Sequence, residues 1–117
     1  MGNECVQVTG APTAANLVTF QARAVKKGVR VKWETGSEIN TLGFNVWRQS
    51  APKNGAHSGE WQKLNADMIA TQNPGAVSGA AYAFTDRTAQ AGQTYRYKLE
   101  LVAPSGSSEW SAVVKVK

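Results

Sequence analysis

The side chains that could support catalysis in this chain are few and widely separated. The single cysteine is Cys5, and the single histidine is His57, which lies in a stretch rich in glycine and serine. Covalent catalysis needs a nucleophile beside a base, and a metal centre needs several converging ligands. Neither residue has such neighbours, so we interpret His57 as an exposed, solvated side chain. A single cysteine also excludes a disulfide within the chain.

The carboxylates offer two further chemistries, glycoside hydrolysis and calcium binding. Hydrolysis of a glycosidic bond requires two facing carboxyl groups, and Glu34, Glu38, Asp86 and Glu100 are available in principle. None of them belongs to a recognisable catalytic motif. A calcium site requires several converging oxygen ligands, and the eight acidic residues form no aspartate-rich loop. We therefore expect no catalytic residues, no metal and no cofactor.

Ser37 and Glu38 stand in a polar connector, close to Asn40. A serine and a carboxylate beside an asparagine could bind calcium or a ligand hydroxyl. Short polar side chains in turns also bond to backbone N–H groups and stabilise a bend. We favour this second interpretation, in which Ser37 and Glu38 hold the connector in shape.

Trp47 is the most informative aromatic residue, because strand alternation directs it away from the core. Successive side chains of a strand point to opposite faces of a sheet. If Phe44 and Val46 face inward, Asn45 and Trp47 must face outward. We therefore expect Asn45 and Trp47 to be exposed to solvent.

Two interpretations of the outward Trp47 remain open. Its indole could stack under a cation supplied by Arg96 or Lys98 on a neighbouring strand. Alternatively, it could be a flat platform for a sugar ring, with Trp61 or Trp110 as a second ring. The candidate ligand-binding residues are Trp47, Asn45, Gln49, Arg96 and Lys98.

The charge balance permits attraction to anionic partners without identifying one. Thirteen lysines and arginines against eight acidic residues give a net charge of +5. The basic residues are scattered, as is usual on the outward faces of strands, and only Lys26 and Lys27 are adjacent. Binding of nucleic acid would need denser cations than Arg48, Arg96 and Lys98 provide. We therefore do not expect a nucleic-acid partner.

The sequence also argues against a membrane segment. No stretch approaches the roughly 18 apolar residues needed to cross a bilayer. Residues 1–10 lack the basic and apolar regions of a signal peptide. We expect no membrane insertion.

Short strands are the elements that must position these side chains. Apolar and polar residues alternate over 29–34 and 95–101, and Val29, Val31 and Trp33 are predicted to face the core. Turn residues separate these runs from other strand-like segments, and helical periodicity is absent. The further predicted strands are 6–8, 17–24, 44–48, 61–64, 82–86 and 110–116, with 68–71 as a strand or a bend.

The number and spacing of these segments predict the fold class. About seven short strands in about 100 residues are typical of an antiparallel sandwich. We predict an all-β, antiparallel, immunoglobulin-like β-sandwich over residues 17–117. Residues 1–16 are predicted to be a linker or an edge segment.

Tyr95 follows a glycine-containing corner and opens an alternating strand, as in a tyrosine corner, where the hydroxyl bonds the preceding backbone. With Trp33 as the core aromatic residue, the chain resembles a fibronectin type III domain over about residues 17–117. The core positions in this resemblance are Trp33, Phe44, Val46, Tyr95, Tyr97 and Leu99.

A narrower resemblance involves residues 33–48, together with 82–86 and 95–99. These segments are similar to modules near the C-termini of large secreted or surface-attached bacterial proteins. The resemblance implies an extracellular or cell-surface location, and neighbouring domains or other surface proteins as partners. It supplies no catalytic residues. The matching positions are Ser37, Glu38, Ile39, Gly43 and Phe44.

Three functions follow as alternatives. The leading one is a noncatalytic structural or interaction module, a spacer or adhesion unit of an exported multidomain protein, monomeric as an isolated domain. The second is a carbohydrate-binding module that uses exposed aromatic residues, with a polysaccharide as its partner. The third is a self-assembling surface subunit that pairs through an edge strand such as 6–8 or 113–116.

Overall fold

The computed structural model describes residues 5–6, 16–51, 59–90 and 92–116, so His57 lies outside the described residues. Every regular element in these ranges is a β-strand, which confirms the predicted all-β class. The strands are β1 (Cys5–Val6), β2 (Leu17–Val25), β3 (Gly28–Thr35), β4 (Gly43–Ala51), β5 (Gln62–Lys63), β6 (Ile69–Ala70), β7 (Ala81–Asp86), β8 (Thr94–Val102), β9 (Ser108–Trp110) and β10 (Val114–Val116).

The strands form two antiparallel sheets that pack as a sandwich. The smaller sheet has the order β2-β3-β7. The larger sheet has the order β1-β10-β8-β4-β5, with β6 also paired to β4 and β9 also paired to β8. The central pair of the larger sheet is β4 and β8, which are in register from Gly43↔Val102 to Ala51↔Thr94.

The core fills the space between the sheets with aromatic and β-branched side chains. Trp33 stacks on Tyr82 with ring centroids 5.5 Å apart and meets Phe44 edge-on at 5.5 Å. These contacts join the smaller sheet to the larger one, since Phe44 lies on β4, and offset or edge-on ring pairs are favourable. The six core residues named from the sequence are all buried, namely Trp33, Phe44, Val46, Tyr95, Tyr97 and Leu99.

The tyrosine-corner geometry expected from the sequence is present at Tyr95. Its hydroxyl accepts a hydrogen bond from the backbone N–H of Gln90 at 2.8 Å. The bond ties the turn before β8 to the start of that strand.

The predicted strand over 110–116 is instead two strands, β9 and β10. Leu99 N–H donates to the hydroxyl of Ser111 at 2.9 Å, and Ser111 N–H donates to the carbonyl of Leu99 at 2.9 Å. A side-chain oxygen therefore takes the place of a backbone carbonyl in the ladder. The strand is interrupted there without leaving the Leu99 N–H of β8 unsatisfied.

A similar substitution interrupts the other side of β4. The predicted strands at 61–64 and 68–71 shorten to β5 and β6, and the buried Asn65 lies between them. Val46 N–H donates to Asn65 Oδ1 at 2.7 Å, while Leu64 N–H donates to the Val46 carbonyl at 2.9 Å. The asparagine side chain thus completes the hydrogen bonding of β4 where no strand runs beside it.

The first predicted strand, 6–8, is represented by β1, and residues 7 and 8 lie outside the described residues. β1 pairs with β10 through Cys5↔Val116 and Val6↔Lys115. The two segments proposed for edge-to-edge assembly therefore pair with each other at these positions.

A buried ion pair connects the two sheets. Arg48 on β4 donates to Asp86 on β7 at 2.9 Å, and their side chains are only 12% and 2% exposed. Tyr97 on β8 donates to the same carboxylate at 2.7 Å, and the Thr88 hydroxyl donates at 2.7 Å. Burial alone would raise the pKa of Asp86, but hydrogen bonds from Tyr97, Thr88 and Arg48 outweigh it and hold the pKa below its ordinary value.

We expect Asp86→Asn to lower the free energy of unfolding by about 3 kcal/mol at neutral pH, because it leaves Arg48 buried without its partner. The lowered pKa means that the unfolded chain takes up a proton first, so the stabilisation disappears as pH falls below about 4. Urea unfolding at a series of pH values should show a shallower acid decline in the variant. Glu60→Gln, which removes an exposed carboxylate, is the control. An unchanged acid decline in Asp86→Asn would contradict this role.

Gly28, the first residue of β3 after the turn from β2, supplies a second test. Its φ is +143°, and a Cβ at this position would lie 2.0 Å from the Asp86 carbonyl oxygen. Gly28→Ala should therefore destabilise the protein by about 2 kcal/mol, measured by urea unfolding. Gly59→Ala is the matched control, because its Cβ would meet nothing within 4 Å. Equal stability of the two variants would refute the steric argument.

Candidate functional site

The five candidate ligand-binding residues share the outer face of the larger sheet. Trp47 lies opposite Lys98, Gln49 lies opposite Arg96, and Asn45 lies on the same face of β4. The alternation along β8 places Tyr97 inward and its neighbours outward. Register between β4 and β8 therefore brings together side chains that are about 50 residues apart in the sequence.

Lys98 lies between two tryptophans other than Trp47. Its Nζ is 4.4 Å from the centroid of the Trp61 ring and 4.2 Å from that of the Trp110 ring. Both distances are within the range of cation–π attraction. Arg96 instead donates to Gln49 Oε1 at 3.2 Å. The cation expected against Trp47 is thus placed against the rings of Trp61 and Trp110.

Glu100 positions the remaining members of this face. Trp47 Nε1 donates to its Oε1 at 2.9 Å, Asn45 Nδ2 donates to Oε1 at 3.1 Å, and the Ser108 hydroxyl donates to Oε2 at 2.6 Å. Burial would raise the pKa of Glu100. The hydrogen bonds from Ser108, Trp47 and Asn45 and the charge of Lys63 outweigh burial and lower the pKa. Glu100 is therefore an ionised acceptor at neutral pH.

The prediction that Asn45 is exposed is wrong, since its side chain is only 9% exposed. Asn65 Nδ2 donates to Asn45 Oδ1 at 2.8 Å, so the segment between β5 and β6 covers Asn45. The Nδ2 of Asn45 donates to Glu100 Oε1. Alternation correctly assigns the face of Asn45, but a face can be covered by a segment distant in the sequence.

The tryptophan–lysine cluster comprises Trp47, Trp61, Trp110, Lys98 and Glu100. The rings of Trp47 and Trp110 meet edge-on at 5.9 Å. Trp110 is 39% exposed, whereas Trp47 and Trp61 are half-buried. The sequence indicated Trp61 and Trp110 as second rings, but it offered Glu100 only as an available catalytic carboxylate and not as a member of this cluster. Its outward position two residues after Lys98 on β8 was the available signal. The cluster offers ring surface and a fixed positive charge rather than a nucleophile.

The Ser37–Glu38 connector is a structural site built differently from the expectation. Glu38 is fully buried and accepts hydrogen bonds from the Thr35 hydroxyl at 2.8 Å, from the Asn73 N–H at 2.8 Å and from the Tyr82 hydroxyl. Ser37 donates to Asn16 Oδ1 at 3.1 Å. Glu38 thus binds a backbone N–H, as expected, but that group belongs to a later loop instead of the connector itself.

Two features are absent from the described part of the chain, a metal-binding cluster and a membrane-spanning helix. No group of three or more His, Cys, Asp or Glu side chains within it is arranged to hold a metal ion. Within the same ranges there is no helix able to cross a bilayer.

A scan against protein-family models and a search of curated proteins find no match to this chain.

The contact between Tyr82 and Glu38 leads to a prediction at alkaline pH. Burial, helped by the hydrogen bond to Glu38, raises the pKa of Tyr82 to about 12. The unfolded chain loses this proton first, so the stabilisation is complete below about pH 10 and is lost as pH rises toward 12. We expect Tyr82→Phe to lower the free energy of unfolding by about 2 kcal/mol at neutral pH, because Glu38 loses a hydrogen-bond donor. Above about pH 10, the free energy of unfolding of the variant should decline less steeply than that of the wild type.

Urea unfolding between neutral and alkaline pH measures both effects. Burial also raises the pKa of Tyr97, so Tyr97 makes its own contribution to the loss of stability at alkaline pH. This contribution should remain in the Tyr82→Phe variant. A variant with the stability and alkaline slope of the wild type would show that the hydroxyl of Tyr82 is dispensable.

Proposed function

We propose that the chain is a noncatalytic, fibronectin type III-like interaction module, a spacer or adhesion unit of an exported multidomain bacterial protein. The strand order β2-β3-β7 in one sheet and β10-β8-β4-β5 in the other supports this fold, as does the Tyr95 corner. The extracellular location and the neighbouring domains are inferred from the resemblance of residues 33–48, 82–86 and 95–99 to surface modules.

The use of the carboxylates supports a noncatalytic role. Glu38, Asp86 and Glu100 each accept three or more hydrogen bonds from protein donors. General acid–base catalysis needs a carboxyl group that can reach a substrate proton. In the described residues, these three groups instead hold loops, the two sheets and the Trp47 indole in place.

The tryptophan–lysine cluster is the observation that carries the interaction role. Single exposed apolar residues are common on protein surfaces. Here three indoles and a lysine share one sheet face, and Trp110 remains 39% exposed despite these contacts. Tryptophan combines a large apolar surface with a polar N–H, a property that suits binding surfaces.

Carbohydrate binding is the second candidate function, and the exposure of Trp110 favours it. An indole face can pack against the C–H groups of a sugar ring. Lys98 fills the space between Trp61 and Trp110, so a sugar can use only the exposed part of Trp110 unless the lysine moves. Trp47 is less suitable, because its N–H already donates to Glu100 and its ring already contacts the Trp110 ring.

Retention of the protein on a panel of insoluble polysaccharides and bacterial cell walls tests the interaction role. We expect retention on at least one polymer, a clear loss in Trp110→Ala, and no soluble sugar released during incubation. Ile39→Ala is the control, because it removes a side chain that is 57% exposed and lies outside the cluster. Release of product would indicate an enzyme. Retention that persists in Trp110→Ala would exclude the cluster as the binding surface.

A further inference from the structure

We propose that the tryptophan–lysine cluster, with the cations beside it, binds an acidic polysaccharide whose sugar rings carry carboxylates. The proposal rests on the interaction role proposed above and specifies the chemistry of the partner. Its basis is the combination of exposed indole surface with positive charge on a single sheet face.

The cations form a row across the outer face of the larger sheet. Lys98 on β8 and Lys63 on β5 both lie opposite Trp47 on β4, which separates their backbones by about 10 Å. Arg96 lies two residues from Lys98 and opposite Lys115 on β10. A polymer with a carboxylate on successive rings can therefore meet several cations while it crosses the strands.

The charge of Lys63 acts on Glu100, but none of the four cations forms an ion pair with a carboxylate of the described residues. Within the described residues, no nitrogen of these four side chains lies within 4.0 Å of a carboxylate oxygen. By contrast, the interior pair Arg48 and Asp86 is separated by 2.9 Å. Glu100 belongs to the same face, but it accepts hydrogen bonds from Asn45, Trp47 and Ser108. The face therefore keeps an excess of positive charge, which complements an anionic partner.

The two rings hold Lys98 in a position suited to binding an anion. A free lysine side chain loses considerable rotamer entropy when it binds a ligand. Here Trp61 and Trp110 already confine the Nζ at 4.4 and 4.2 Å from their ring centroids. Lys98 therefore loses less rotamer entropy when the ligand binds than a free lysine side chain would. A carboxylate at Lys98 would also bring its sugar ring next to the exposed part of Trp110.

The same geometry favours an acidic glycan over a neutral glycan or a nucleic acid. A neutral sugar would have to displace Lys98 to enter between Trp61 and Trp110, and it would leave the cations unused. Single-stranded nucleic acid is bound by several stacking platforms along the strand. In this cluster Trp110 is exposed, while Trp47 and Trp61 are half-buried.

Native affinity electrophoresis in gels containing polygalacturonate tests the proposal. Neutral galactan and single-stranded DNA serve as competing ligands. The double variant Lys63→Gln/Lys115→Gln should weaken binding to polygalacturonate about tenfold. Lys98→Met should also weaken binding about tenfold, because it removes the charge while the methionine side chain still fills the space between the Trp61 and Trp110 rings. Lys27→Gln/Lys32→Gln is the matched control. It removes the same charge from exposed lysines of the β2–β3 hairpin and should change binding less than about twofold.

Equal weakening in the two double variants would overturn the proposal, because it would reveal nonspecific attraction to a basic protein. Wild-type affinity in Lys98→Met, or affinity for DNA equal to that for polygalacturonate, would also overturn it. Binding of galactan as tight as that of polygalacturonate, with the same dependence on Trp110, would overturn the acidic partner and leave the interaction module intact. Absence of binding to every polymer in both assays would remove the adhesion role as well.

Discussion

The burial of the Asp86 carboxylate between the two sheets is the contact on which the architecture most depends. A carboxylate removed from water is destabilising unless donors surround it. Arg48 and Tyr97 provide those donors from the larger sheet, whereas Asp86 belongs to the smaller one. The sheets must therefore keep the separation at which these bonds form. Ring contacts among Trp33, Phe44 and Tyr82 fill that separation with apolar volume.

The same principle recurs at two other carboxylates. Glu38 accepts hydrogen bonds from Thr35 on β3, from the loop that contains Asn73 and from Tyr82 on β7. Glu100 lies at the surface and orients Trp47 and Asn45 in the tryptophan–lysine cluster. Charged groups thus specify the positions of loops and aromatic rings, while apolar burial supplies the driving force for packing. A binding face organised in this way is already ordered before a partner arrives.

Strand alternation identified most of the fold because it reflects a local rule. The inward positions of Val29, Val31 and Trp33 follow from the two-residue period of a half-buried strand. Strand interruptions were not visible in the pattern. Ser111 and Asn65 replace backbone acceptors with side-chain oxygens, and a polar residue in a strand pattern does not reveal whether its side chain bonds a neighbouring strand.

The sequence by itself determined the all-β class, the core faces of the main strands and the outward direction of Trp47, because each depends on residues close together in the chain. Only the tertiary structure decided which cation meets which ring, that Asn45 is covered, and that Glu38 binds the distant loop containing Asn73. These contacts join residues 12 to 37 positions apart, and their partners are selected by strand register and by the hydrogen-bond requirements of buried polar groups.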